Sequence, residues 1–271
     1  MKRAAIALVA LAVLASPCAQ AQWEKKKDPA VAQRGSSEPA WSAAAPRARG
    51  KPDLAGVWSP DGVPLPEGVL NVEIDLDLPK HFIDVGADLP PGTTLPLQPW
   101  AAKVVEERQA NQGTDDPLAH CRPTGMPLIN AVPLPFKIVQ TRDLILILYE
   151  ENSIFRQIFM NGRRPAPDPE PRFLGYSSGR WEGDELVVDT VGFNDRHWLD
   201  ESGRPLTEKL RLTERFRRPD AGHLEIRITV DDPGAYTAPI DYTIKATLVP
   251  DEDLLEYFCT DNEKDAQHYQ R

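Results

Sequence analysis

GYSSGRWEGDELVVDT, residues 175–190, holds a literal G-x-S-x-G at Gly175, Ser177 and Gly179. That pattern is the nucleophile elbow of α/β-hydrolases, in which a strand enters a sharp turn and a helix leaves it, lifting the serine oxygen above a parallel sheet. After Gly179 come Arg180-Trp181-Glu182, a Gly183-Asp184 turn signal, and a β-branched run from Leu186 to Val191 that stops at Gly192. A turn so soon after Gly179 leaves no room for a helix. The stretch therefore reads as a β-hairpin, with Ser177 a strand residue and not an attacking nucleophile.

The same chemistry repeats outward. Residues 136–141, 144–150, 153–160, 173–182, 185–191, 208–217, 223–230, 236–249 (broken near Pro239) and 254–259 are each β-rich. Between them stand turn signals such as Arg142-Asp143, Glu151-Asn152, Asn161-Gly162 and Asp220-Ala221-Gly222. Connections this short make successive strands antiparallel neighbours. The fold expected is mainly β: an antiparallel, lipocalin-like β-barrel of about eight to ten strands with one α-helix and a Pro-rich N-terminal arm. The helix is expected over 99–111, with Pro99 at its start and Trp100, Val104 and Val105 on its packed face.

Upstream, Lys2 and Arg3, the apolar run from Ala4 to Ala15 and the small-x-small site Ala19-Gln20-Ala21 form a signal peptide over 1–21. Cys18 raises the lipoprotein alternative, which Pro17 immediately before it disfavours. Residues 22–51 read as a polar linker, 52–265 as a single barrel domain, and 266–271 as a tail. The expected location is a bacterial periplasm or the exterior. No later stretch has the roughly 18 consecutive apolar residues of a membrane span. Cleavage after Ala21 removes Lys2 and Arg3 and moves the formal net charge from −10 to −12. An acidic chain of this kind lacks the basic footprint of a nucleic-acid binder. Cleavage also removes Cys18, so Cys121 and Cys259 are expected to pair, closing a loop long enough to stabilise the fold by roughly 3–5 kcal/mol.

Alternation along the strands picks out the inward polar groups. In 208–217 one face reads Leu210, Leu212, Glu214, Phe216 and the other Lys209, Arg211, Thr213, Arg215, Arg217, so Glu214 points inward. In 153–160 either Arg156 or Gln157 is interior, and Arg156 is the natural partner for a buried carboxylate, which must be paired or protonated. Two readings stand side by side: an ion pair that fixes barrel packing, or a general acid or base at Glu214 with Arg156 orienting a ligand and His197 assisting. Tyr149, Tyr176, Trp181, Asn194, Asp195, Trp198 and Tyr242 are the candidate ligand-lining side chains. The loop Phe193 to Asp200 would stand at the barrel mouth as a gate. The five histidines show no paired ligand spacing, and no HExxH or CxxC occurs, so no metal is expected. No nucleotide or flavin motif is present, so no cofactor is expected either.

Residues 53–265 resemble a large family of secreted bacterial proteins of unassigned activity. The resemblance rests on PDLAGVW, PWAAKVVEERQANQGTDDP with Cys121 and Pro123, FKIVQT, FRQIFMNGRRP, GYSSGRWEGDELVVDTVGFND with Trp198 and Asp200, TERFRRPD, and DDPGAYTAP. It implies that Arg156, Trp181, Glu182, Asp184, Asn194, Asp195, Trp198, Glu214 and Arg215 stand at the family's recurring polar and aromatic positions. It lends no activity.

Three functions remain. The first is capture of a small, partly apolar ligand in the barrel. The second is a cofactor-independent lyase, isomerase or hydrolase built on Glu214 and Arg156. The third, an envelope protein that binds other proteins, predicts a filled interior and an exposed apolar patch.

Overall fold

The computed structural model describes residues 43–62, 78–111 and 113–262. The expected signal peptide, the linker up to residue 42, residues 63–77 of the Pro-rich arm and the expected tail lie outside the described residues, which all belong to the unit Glu38–Arg271. Structure begins earlier than the expected linker boundary at 51. Strands β1 (Arg47–Ala48) and β2 (Lys51–Pro52) form a hairpin, and Arg47 grips Asp184 through both terminal nitrogens at 3.0 and 2.9 Å.

Nine further strands close into a barrel. They are β3 (Gly56–Pro60), β4 (Phe136–Gln140), β5 (Leu144–Tyr149), β6 (Phe155–Phe159), β7 (Tyr176–Glu182), β8 (Glu185–Val191), β9 (Arg211–Arg217), β10 (His223–Asp231) and β11 (Ile240–Leu248). The opening hairpin is β7–β8, paired from Tyr176↔Val191 to Glu182↔Glu185. Gly183 supplies the positive φ (61°) its two-residue turn requires.

One expectation is corrected. The barrel is mixed, because β6 and β7 pair in parallel through Ile158↔Ser177 and Phe159↔Ser178. The connection between them runs through Pro165, Pro167, Pro169 and Pro171, which cannot supply the ladder donors of a tight hairpin, and it is long enough for a parallel crossover. The ring is completed by β9 pairing β10, β11 pairing β3 and β3 pairing β4.

The Cα register lays Tyr242, Ile228, Glu214, Val188 and Gly179 side by side across β11, β10, β9, β8 and β7. This row faces inward among Trp58, Phe136, Ile147, Phe216 and Ile226, all buried. Side chains meet across the axis. A 3-10 turn, Leu128–Ala131, is buried at all four residues. From it the Asn130 amide reaches the centre, donating to Glu214 Oε1 at 2.8 Å and accepting from the Tyr149 hydroxyl at 2.9 Å.

Two helices brace one end. In α1 (Lys80–Ile83) His81 and Phe82 are buried, and the His81 ring lies 5.0 Å from that of Tyr242. In α2 (Pro99–Ala110) the packed residues are Ala101 and Val105. Trp100, expected on that face, is 45% exposed. It sits at the rim, where its indole N–H donates to the Gly234 carbonyl at 2.8 Å, as suits a side chain with an apolar body and a polar edge.

Residues 254–259 are not a ladder strand. Alternate amides, Leu255, Tyr257 and Cys259, donate to Glu150 Oε2, Ser153 Oγ and Asn152 Oδ1 at 3.0, 3.4 and 3.2 Å. The period is that of a strand, but the partner is a turn offering side-chain acceptors. Cys259 is disulfide-bonded to Cys121, as the cysteine count predicts.

Candidate functional site

Two separate groups of polar and aromatic side chains stand out. At the barrel centre, antiparallel pairing of β8 with β9 puts Glu214 beside Val188, and β6 carries Arg156 across from β5. The Arg156 guanidinium donates through Nη1 to Glu214 Oε1 at 3.0 Å and through Nη2 to Glu214 Oε2. It also donates through Nε to Ser177 Oγ and through Nη2 to Thr190 Oγ1, each at 2.9 Å. The serine of the apparent elbow is thus a buried acceptor in the wall of an ion pair, bonded also to Thr190 at 3.0 Å. Of the two candidates in 153–160, Arg156 is the interior one, 2% exposed, with Glu214 fully buried. Desolvation pulls the guanidinium down, but the Glu214 charge and hydrogen bonds outweigh it and hold Arg156 above its ordinary value. Tyr149 and Tyr242 flank this network, each phenol pushed above its usual value by burial.

The second group lies at a narrow cleft, open to solvent on one side, whose free volume of about 10 Å³ is room for about one water; it is lined by Asp116, Pro117, Leu118, Pro123, Thr124, Gly125, Leu128, His197, Trp198 and Glu201. Its walls are set by local chemistry. The His197 Nε2–H donates to the Met126 carbonyl at 2.8 Å, and Nδ1 stands 3.3 Å from Asn194 Oδ1. Any Cβ at residue 125 would collide with the imidazole, so Gly125 is what lets the ring lie flat on that chain. Burial outweighs the Met126 carbonyl bond and the Asp195 charge and lowers the His197 pKa to about 4, so the ring is neutral at pH 7.

Trp198 is 5% exposed. Arg108 of α2 lies 4.6 Å from its ring and donates to the Gly203 carbonyl at 2.8 Å. The turn that follows is fastened to α1. Asp200 accepts from the Val85 amide at 2.8 Å and pairs with Arg204, Ser202 donates to the Ile83 carbonyl at 2.8 Å, and the Glu201 amide donates to the Phe82 carbonyl at 3.0 Å.

This scaffold presses the Glu201 side chain towards Asp116. Desolvation, then the Asp116 charge and hydrogen bond, push the Glu201 carboxyl up to about 8, so it is largely protonated at neutral pH. Glu201 Oε1 is buried with no geometric hydrogen-bond partner in the described structure. Behind the cleft wall, Thr124 donates to the buried Glu151 carboxyl at 2.9 Å, which burial likewise holds above its ordinary range.

Of the expected site residues, the structure brings Arg156, Glu214, Tyr149 and Tyr242 together at the centre and His197 with Trp198 at the cleft. His197 bonds to neither member of the ion pair. The expected gate of 193–200 is largely buried, with only Asp195 and Arg196 exposed. Tyr176 lies elsewhere, its hydroxyl donating to the Glu170 carbonyl at 3.1 Å under Arg172. Trp181 packs half-buried against the core, and Asn194 caps its own loop by accepting from the Arg196 amide at 3.1 Å.

Sequence reasoning missed Asp116, Thr124, Asn130 and Glu201. Asp116 stands in a turn that reads as a helix stop, and Glu201 falls one residue past the loop singled out. The usable signal was the Asp200-Glu201 acidic pair directly after Trp198.

Among the described residues no group of three or more His, Cys, Asp or Glu side chains has metal-holding geometry, and no helix is long and apolar enough to cross a membrane. Comparison with family models, with curated proteins and with solved structures returned no match.

Proposed function

We propose that this is an exported protein that takes a small, partly apolar ligand, and that the ligand's place is the cleft of Asp116, Thr124, His197, Trp198 and Glu201 rather than the barrel axis. The single observation that carries this reading is the buried Glu201 Oε1, which has no hydrogen-bond partner in the described structure and belongs to a side chain lining a concave site beside an indole. A carboxyl held protonated to about pH 8, with one oxygen unbonded in a concave site beside an indole, is poised to donate to or accept from a bound polar group. Pro117, Leu118, Leu128 and Trp198 offer the apolar contact. The Arg156–Glu214 pair belongs in this reading to the scaffold, since its donors and acceptors are spent on one another and on Ser177, Thr190 and Asn130. If the ligand is transformed, the acid pair is the group placed to move the proton.

Native mass spectrometry of the protein after exposure to a pooled metabolite extract, with the free pool analysed before and after, tests this. A bound mass matching a supplied compound, with the pool unchanged, marks a binder. Depletion of one compound and appearance of another marks an enzyme. Either signal is expected to vanish in Glu201→Gln and Trp198→Ala. A signal indifferent to both variants and lost in folded Glu214→Gln would move the site to the barrel centre and sink the reading.

A further inference from the structure

The strap around 251–259 is chemically unlike the rest of the surface. It carries Asp251, Glu252, Asp253 and Glu256 with no basic residue between Pro250 and Asn262. Leu255, Tyr257 and Phe258 project outward, 70%, 43% and 45% exposed, and Phe155 stands 57% exposed two residues beyond Ser153, the residue that anchors Tyr257. Of the seven large apolar side chains exposed among the described residues, these are four, so the exposure is concentrated and not scattered.

Nor is the segment loose. Three alternate amides are bonded to Glu150, Asn152 and Ser153, and the Cys121–Cys259 disulfide pins its end. A clamped strap that keeps aromatic side chains in water is pre-organised for a partner, because little chain entropy remains to be lost on docking. Aromatic anchors ringed by charge are the usual make-up of a protein interface.

We propose that the strap 251–259 with Phe155 is a docking surface for a protein segment in which lysine or arginine alternates with aliphatic side chains. Charge selects this occupant. Four acids flank the apolar anchors, of which Asp253 is engaged only distantly, with Lys137 Nζ at 3.9 Å. A second copy of a chain whose net charge is −10 would bring further repulsion to the same face.

The test uses the full chain and three synthetic peptides of equal length: one alternating lysine and leucine, one alternating glutamate and leucine, and one alternating lysine and serine. Fluorescence anisotropy is expected to show saturable binding of the lysine–leucine peptide alone, weakened at least about tenfold by raising salt from low to high. Leu255→Ser with Phe258→Ser, on side chains that support no core, is expected to weaken it at least about tenfold with the thermal midpoint retained. The charge reversal Glu252→Lys with Glu256→Lys is expected to do the same without touching an apolar contact. Absence of saturable binding, equal binding of the lysine–serine peptide, or binding unmoved by either double variant overturns the proposal. So does concentration-dependent self-association that the serine variant abolishes, which would make the occupant a second copy.

Discussion

Glu214 and Glu201 are both acids taken out of water, yet the fold neutralises them in opposite ways. Glu214 sits at the centre of the barrel with a guanidinium locked onto it and Asn130 completing its shell. Glu201 sits at the edge beside a second acid, so it keeps a proton instead of a cation. A carboxylate satisfied by a fixed Arg is expensive to disturb and has nothing left to offer a ligand. A carboxyl satisfied by a proton can give it away. The difference is what assigns Glu214 to the scaffold and Glu201 to the proposed ligand site.

The largest expected effect comes from breaking the fixed pair. Arg156→Met leaves Glu214 buried and unpaired, and unfolding in denaturant should show a loss of about 4 kcal/mol. Removing both charges in Arg156→Met with Glu214→Leu should return at least half of that, since the desolvation penalty disappears together with the attraction. If the double variant is no more stable than the single one, the network contributes more than its charges and the comparison with Glu201 is misdrawn.

Protons should dominate at the edge. Glu201 has a folded pKa near 8, above its unfolded value, so the stability it contributes is complete at low pH and is lost as pH rises towards 8. His197 has a folded pKa near 4, below its unfolded value, so its contribution is complete above about pH 6.5 and is lost as pH falls. Between about pH 4.5 and 6.5 the two slopes oppose each other. From about 6.5 to 8 only the Glu201 slope remains, and stability should fall by roughly 2 kcal/mol. The Glu201→Gln variant should be flat over that upper window in denaturation at a series of pH values. An equal decline in the variant would place the titrating group elsewhere.

The centre was legible in the sequence and the edge was not, for a physical reason. Period-two alternation in 208–217 identifies Glu214 because a strand's side-chain direction is fixed by its neighbours, and the demand for a buried countercharge then finds Arg156. The hairpin at 175–190 is legible for the same local reason: Gly183-Asp184 leaves only a turn. The parallel β6–β7 pair escapes because its cause, a proline-laden crossover, acts over a span that turn chemistry does not describe. The Leu128–Ala131 turn escapes because PLINAVP carries no period at all, and only the tertiary fold drives Asn130 into the barrel. The acid pair escapes for the same reason, since Asp116 and Glu201 lie 85 positions apart in the sequence and meet through the fastening of the 200–204 turn to α1.

The smallest expected effect concerns the wall of the cleft. Thr124 lines the cleft on one side and on the other donates to Glu151, whose second oxygen, Oε2, has no geometric partner in the described structure. Thr124→Val keeps the shape and removes one donor. Asn152 still donates to the same oxygen at 2.6 Å, so the carboxyl is not stranded. The cost should be about 1 kcal/mol, read as a shift in denaturant midpoint with an unchanged slope. A loss of several kcal/mol would mean that Glu151 holds its charge and depends on Thr124 as Glu214 depends on Arg156, giving this wall the character of the centre. A change below about 0.3 kcal/mol would mean that the Glu151 proton already satisfies the site, giving it the character of Glu201.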